Sequence, residues 1–246
     1  MKNKSYIGIS LIILIFGIIF IPRILDRIKK GDVVQNDRMS ADNPEIKGET
    51  DDSGDLAYIE QYGKRKHIPD FNFVNQNGDS ISNKDYLGKV YVVEFFFSTC
   101  PSICPIMNEN LIEVEKEFKG NNDFGIVSIT IDPEHDTPEV LKKYKEAHGI
   151  EDPQWNFLTG NRDTIYNLAN KGFGVYAGKD KNAAGGFAHS GLFALIDKEG
   201  YFRSRKDAYG NPILYYRGSI KRGASVAEGD NEPQIDELVK DIHKLL

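Results

Sequence analysis

Apolar residues in this chain follow three patterns. The first is continuous: Tyr6 to Ile21 is apolar at nearly every position, and Ile24 and Leu25 extend the run past Pro22 and Arg23. Residues 6–25 are about as long as a bilayer is thick, and a stretch apolar on every side does not suit a helix lying on a core. The second pattern is a set of short β-branched and aromatic runs, Val90–Phe97, Phe124–Ile131, Trp155–Leu158 and Leu192–Ile196, which read as strands. The third is helical. Residues 102–118, 137–148 and 161–171 read as helices, as does 234–246, with Ile235, Leu238, Ile242 and Leu245 on one face. Thr137 is placed to cap the second of these, with Pro138 at its first position and Gly149 as its stop. Asn77-Gly78, between Phe71–Val74 and Ser80–Ser82, predicts an N-terminal hairpin with a type I′ turn. Strands alternating with helices predict an α/β sheet with a parallel core. The turn signal Tyr209-Gly210-Asn211-Pro212 breaks that alternation and predicts an inserted hairpin over 203–217.

Between the first apolar run and the first strand the chain is polar. Asp32, Asp37, Asp42, Glu45, Glu49, Asp51, Asp52 and Asp55 are spread through it, and so little apolar surface cannot offset the entropy of ordering. The expected layout is a tail at 1–5, a transmembrane helix at 6–25, a tether at 26–66 and a folded domain at 67–246. No small-residue cleavage site follows the apolar run, so an uncleaved anchor is expected. No cysteine lies beside it, so a bacterial lipoprotein anchor is not expected. Flanking charge is equivocal: Arg23, Arg27, Lys29 and Lys30 outweigh Lys2 and Lys4, which by itself would keep the bulk of the chain inside. The net charge of −6, with no basic run away from the apolar segment, gives no support for nucleic-acid binding.

Cys100 and Cys104 are the only cysteines. They follow the strand Val90–Phe97 directly, at the start of a helix, and four-residue spacing puts both thiols on one side of its first turn. Free N–H groups and the dipole at a helix start favour thiolate, so both thiols are expected to be acidic unless burial by Phe95 to Phe97 cancels the effect. Thiolates bind soft metals or exchange with disulfides. Met107 reads as core, and Asp136 or Thr137 as the cap of the following helix.

A strand feeding a helix that opens on paired cysteines resembles the thioredoxin fold, with two departures. Three residues, Pro101-Ser102-Ile103, separate the cysteines, and no proline lies between Pro153 and Pro212 to face them. His189 stands there instead. Three pieces in order, Phe95 to Pro105, Ile131-Asp132-Pro133-Glu134-His135-Asp136-Thr137-Pro138, and His189-Ser190 leading to Leu195-Ile196-Asp197 and Gly200, resemble the Sco/SenC family of copper proteins. That resemblance implies a thioredoxin-like fold and one copper ion, as Cu(I) or Cu(II), held by Cys100, Cys104 and His189, with His189 arriving from a distant loop. It implies a metallochaperone in the assembly of the binuclear copper centre of cytochrome c oxidase. Its partners would be the copper-accepting oxidase subunit and an upstream copper donor or thiol reductant. The domain would stand on the extracytoplasmic side of the inner membrane. Two soft thiolates and an imidazole suit Cu(I) chemically. The alternative is a thiol–disulfide oxidoreductase in which Cys100 and Cys104 form a redox-active disulfide.

Overall fold

The structure, a computed structural model, describes residues 56–207, 209–225 and 231–246, together with Leu14 and Phe16. In chain order the elements are β1 (Ala57–Tyr58), β2 (Glu60–Gln61), β3 (Lys64–Arg65), β4 (Asn72–Asn75), β5 (Ser80–Ser82), β6 (Val90–Phe96), α1 (Ile103–Glu117), β7 (Phe124–Thr130), α2 (Pro138–Ala147), β8 (Trp155–Thr159) and α3 (Arg162–Asn167). There follow β9 (Ala177–Lys179), β10 (Phe187–His189), β11 (Leu192–Ile196), β12 (Phe202–Ser204), β13 (Tyr216–Arg217) and α4 (Ile235–Leu245). The main sheet runs β1-β12-β11-β6-β7-β8-β4-β5, and β13 also pairs with β11. β6, β7 and β8 are parallel to one another, and the flanking pairs are antiparallel.

The expected α/β core is present. Every residue of β6 and β7 is buried, which is why neither run alternates: both faces of a parallel strand are covered. Phe96 packs on Tyr144 of α2 and Phe157 of β8. Thr137 caps α2 by accepting from the Val140 N–H, as its sequence position predicts. The amphipathic C-terminal helix forms α4, with Ile235, Leu238 and Ile242 buried.

Four expectations need revision. The sheet begins before His67: β1 pairs with β12, Ile59 N–H donates to the Phe202 carbonyl at 3.0 Å, and Leu56 and Ile59 are buried. Strands of two residues are too short to show a period, so this edge was invisible among its polar neighbours. The β4–β5 hairpin is present but its turn is not type I′. Gly78 alone has a positive φ, at 87°, its N–H donates to the Asn75 carbonyl, and the Asn75 side chain accepts from the Asn77 and Asp79 N–H groups. A self-bonded asparagine thus stretches the turn to three residues with one left-handed glycine. The excursion after β12 does narrow to a bridge between Lys206 and Pro212, but β12 and β13 pair with β11 rather than with each other. The run 161–171 forms only α3 as a regular helix, then a π turn over Leu168–Phe173 closed by left-handed Gly174.

The apolar run 6–25 lies outside the described residues apart from Leu14 and Phe16, both helical and exposed. The tether lies outside them up to residue 55. Among the described residues no helix is long and apolar enough to cross a membrane.

Candidate metal centre

Parallel strands place their following loops at one edge of the sheet, and that is where the chemistry collects. β6 ends at Phe96, and Phe97-Ser98-Thr99 carry the chain to Cys100, whose N–H donates to the Phe97 carbonyl at 3.2 Å. Ser102 is the N-cap residue of α1, and Cys104 lies in its first turn. Asp136, from the loop after β7, holds this approach in place. Its fully buried carboxylate accepts from Ser98 N–H at 3.0 Å, and also from the Ser98 hydroxyl, the Thr130 hydroxyl and His135 Nδ1. Asp136 is therefore a brace for the cysteine loop, and the helix cap is Thr137 alone.

His189 is the last residue of β10, paired with Ala177 of β9 in a separate two-stranded sheet, rather than part of a free loop. Its Nδ1 lies 3.3 Å from the Ser190 carbonyl, and Nε2 is the ring nitrogen turned toward the cysteines. That Nε2 stands 3.1 Å from Cys104 Sγ. Both cysteines are free thiols, and the two sulfurs and a His189 ring nitrogen all lie within 4.8 Å of one another. Among the described residues no other group of three such side chains converges in this way.

The surroundings are apolar. Cys100 is 8% exposed and Cys104 3%, and the Phe97 ring meets the His189 ring edge-on at 5.7 Å. Phe187 covers Phe97 from the same strand as His189. Gly185, with φ of 79°, passes close beneath: a Cβ there would lie 2.8 Å from the Phe97 ring and 3.2 Å from Pro101. Phe95 and Phe96 are core, so of the three phenylalanines Phe97 is the one that shields the site.

The two thiols do not behave alike, contrary to the expectation that the helix start would acidify both. The Cys100 thiol is held well below its ordinary range, chiefly by the hydrogen bond from Cys104, with His189 and the N–H groups of Ser102 and Cys104 acting in the same direction against burial. Cys104 is pushed up, first by that same shared proton and then by burial. The two sulfurs share one proton, and the negative charge is favoured on Cys100.

Glu94 is the feature that sequence reasoning missed. It is wholly buried in β6, accepts from the Ser128 hydroxyl at 2.6 Å, and burial pushes its carboxyl up to about 7. The signal was available: a lone carboxylate in the otherwise apolar run Val90–Phe97. Met107 is fully buried core, as expected. The remaining histidines lie apart from the site. His67 bonds backbone carbonyls, His148 bonds the Tyr144 carbonyl, His243 packs on Phe118 and His135 bonds Asp136.

Residues 59–217 match the SCO1/SenC family. The SCO1 protein homolog of Bacillus subtilis is 32% identical over 135 residues, covering 54% of this chain and 69% of that protein. SCO relatives from bacteria and yeast are spanned by this chain over 69% and 48% of their respective lengths. Of solved structures, BsSco, described as a Sco-family cytochrome c oxidase assembly protein with a disulfide switch, superposes with a TM-score of 0.58 at 26% identity, covering 73% of this chain and 93% of BsSco. Yeast Sco1 with copper bound superposes with a TM-score of 0.51 at 27% identity, covering 72% of this chain and 89% of that one. The match takes in the cysteine loop, its Asp136 brace and the histidine strand together, and on that ground the chain belongs to the SCO1/SenC family.

Proposed function

We propose that this protein binds one copper ion through Cys100, Cys104 and His189 and delivers it during assembly of the binuclear copper centre of cytochrome c oxidase. The observation that carries this reading is the convergence of two free sulfurs and an imidazole nitrogen within 4.8 Å. That donor set suits a soft ion of low coordination number, whereas structural zinc takes four protein ligands. The copper-bound state of yeast Sco1 supports it. Cys100, where the negative charge is favoured, makes the first bond. Cys104 follows as its proton leaves, and His189 closes the site from β10. Transfer runs in reverse, with thiolates of the accepting oxidase subunit displacing these ligands one at a time. An upstream donor or thiol reductant restores the protein. Residues 6–25 form the single membrane span, 26–55 the tether, and the folded domain stands on the extracytoplasmic side.

A second reading has its own support: the sulfurs are close, the negative charge is favoured on one of them, and BsSco carries a disulfide switch. Here Cys100 and Cys104 become a disulfide, and their two electrons and two protons reduce a disulfide on the acceptor subunit to two thiols.

Titration of the reduced full-length protein with Cu(I) against a competing chelator separates the two. The copper reading predicts one tightly held copper per chain, lost in Cys100→Ser and in Cys104→Ser. Copper held no more tightly by the unmodified protein than by these variants would leave the oxidoreductase reading. Protease added to intact spheroplasts should remove the folded domain; full protection until the membrane is opened would overturn the topology.

A further inference from the structure

β10 carries His189 but pairs with β9 outside the main sheet, so no strand pairing joins β10 itself to β6, and the ladder of β11 on β6 begins only at Ala194. Something else must hold the imidazole in place. Asn110 lies on α1 six residues past Cys104 and is 1% exposed. Its carboxamide nitrogen donates to the carbonyls of Gly218 and Ile220, each at 2.8 Å, and its oxygen accepts from the Arg222 N–H at 2.9 Å. One buried side chain thus draws the segment after β13 down onto the cysteine helix.

The other side of that segment meets the histidine. Gly218 and Ser219 N–H both donate to the carbonyl of Gly191, at 2.8 and 3.2 Å, and Gly191 is two residues past His189. The approach is tight. A Cβ on Gly191 would lie 2.5 Å from the Ser219 Cβ, 2.8 Å from its Oγ and 3.3 Å from Cδ1 of Ile103, the residue before Cys104. A Cβ on Gly218 would lie 2.4 Å from the Phe193 ring. β13 fixes the start of the segment by pairing Tyr216 with Phe193 and Arg217 with Leu192.

We propose that residues 216–222 form a clamp that sets the Cys104–His189 geometry, with Asn110 and Gly191 as positioning residues for the copper site. This rests on copper binding by Cys100, Cys104 and His189 as proposed above. It also gives the excursion after β12 a role: it returns the chain to β11 and delivers the clamp to the cysteine helix. The exposed ion pair Lys221–Glu109 flanks the junction and contributes little, and Arg222 pairs with Glu117 at its edge. The buried Asn110 bonds and the glycine contacts carry the coupling.

The test uses full-length protein in detergent, with Cu(I) buffered by a chelator, the sulfur-to-copper absorption of the Cu(II) form, and the Nε2 resonance of His189 without metal. Gly191→Ala, which forces Ser219 away, should weaken Cu(I) binding by about 10- to 100-fold, the range for groups that orient a ligand without touching the metal. It should also shift the absorption and the His189 resonance. Ser219→Gly in the same chain removes the colliding atoms and should restore all three. Asn110→Ala releases the clamp without a collision, so it reports even where Gly191→Ala does not fold, and should move the same signals in the same direction. Folded variants with unmodified affinity, absorption and resonance would overturn the clamp, as would failure of Ser219→Gly to restore Gly191→Ala. If the unmodified protein takes up no copper, the copper reading fails by itself, and the His189 resonance still decides whether the clamp positions the ring.

Discussion

The two sides of the candidate site are built differently. Cys100 and Cys104 follow β6, a wholly buried strand with parallel neighbours, and α1, a helix of 15 residues. His189 ends a three-residue strand in a separate two-stranded sheet and is placed by its contact with Phe97 and by the segment at Gly191. Regular ladders fix the sulfurs, while packing and a few hydrogen bonds fix the imidazole. A site that must give up its metal gains from this arrangement, since regions with few ladder bonds open at lower free-energy cost than core strands. In the proposed function the thiol pair would hold copper while the imidazole leaves.

The harshest way to break that comparison is to remove the ring that the cysteine loop presents to the histidine strand. Phe97 is 1% exposed and packs against His189 and Phe187. Phe97→Ala should cost about 3–5 kcal/mol in denaturant unfolding, the usual cost of truncating a buried aromatic. It should also loosen the His189 resonance more than any resonance of β7.

Glu94 sharpens the comparison on the ladder side. Its carboxyl titrates near 7 in the folded protein against an ordinary value of 4.5, chiefly because it is buried. Between those values the folded state holds a proton that the unfolded state has lost, so stability falls as pH rises through this window and levels off above it. At about 1.4 kcal/mol per pKa unit the loss is ~3 kcal/mol. Glu94→Gln stays neutral throughout, so its unfolding free energy should be flatter from pH 4.5 to 7. A slope equal to that of the unmodified protein would show that Glu94 is already ionised when folded.

Cys100 and Cys104 should differ in reactivity, because the negative charge is favoured on Cys100 and the proton on Cys104. Alkylation of the reduced protein at neutral pH should modify Cys100 before Cys104, as peptide mapping would read. Equal rates would mean the proton is not localised.

The smallest effect is expected from Thr137→Ala, which removes the α2 cap. It should cost about 1 kcal/mol of stability and leave copper affinity unchanged. Asp136→Asn should instead disturb the cysteine loop, because it weakens the brace on Ser98.

The contrast also marks how far the sequence could be read. β6, α1, β7, α2, β8, β11 and α4 were legible because each is long enough to show a period, a continuous apolar run or a cap. The cysteine pair was legible from spacing alone, and His189 only through resemblance, since β9 and β10 are three residues each and lie in a stretch of Gly, Ala and charged residues. β1 and β13, at two residues, carry no readable period. The sequence offers nothing to choose between the two candidate caps, Asp136 and Thr137, because a carboxylate before Thr-Pro looks like a cap too. Only the fold brings Asp136 to Ser98, 38 residues away in the chain. The clamp was hidden for the same reason: Asn110 and Gly218 are 108 residues apart, and nothing in either local sequence points to the other.

X-ray absorption of the Cu(I)-loaded full-length protein tests the central claim most directly, because it counts sulfur and nitrogen neighbours of the metal. The account predicts two sulfurs and one imidazole nitrogen in the unmodified protein, with the nitrogen lost and both sulfurs kept in His189→Ala. An unchanged spectrum in His189→Ala, or a metal with no nitrogen neighbour in the unmodified protein, would contradict it.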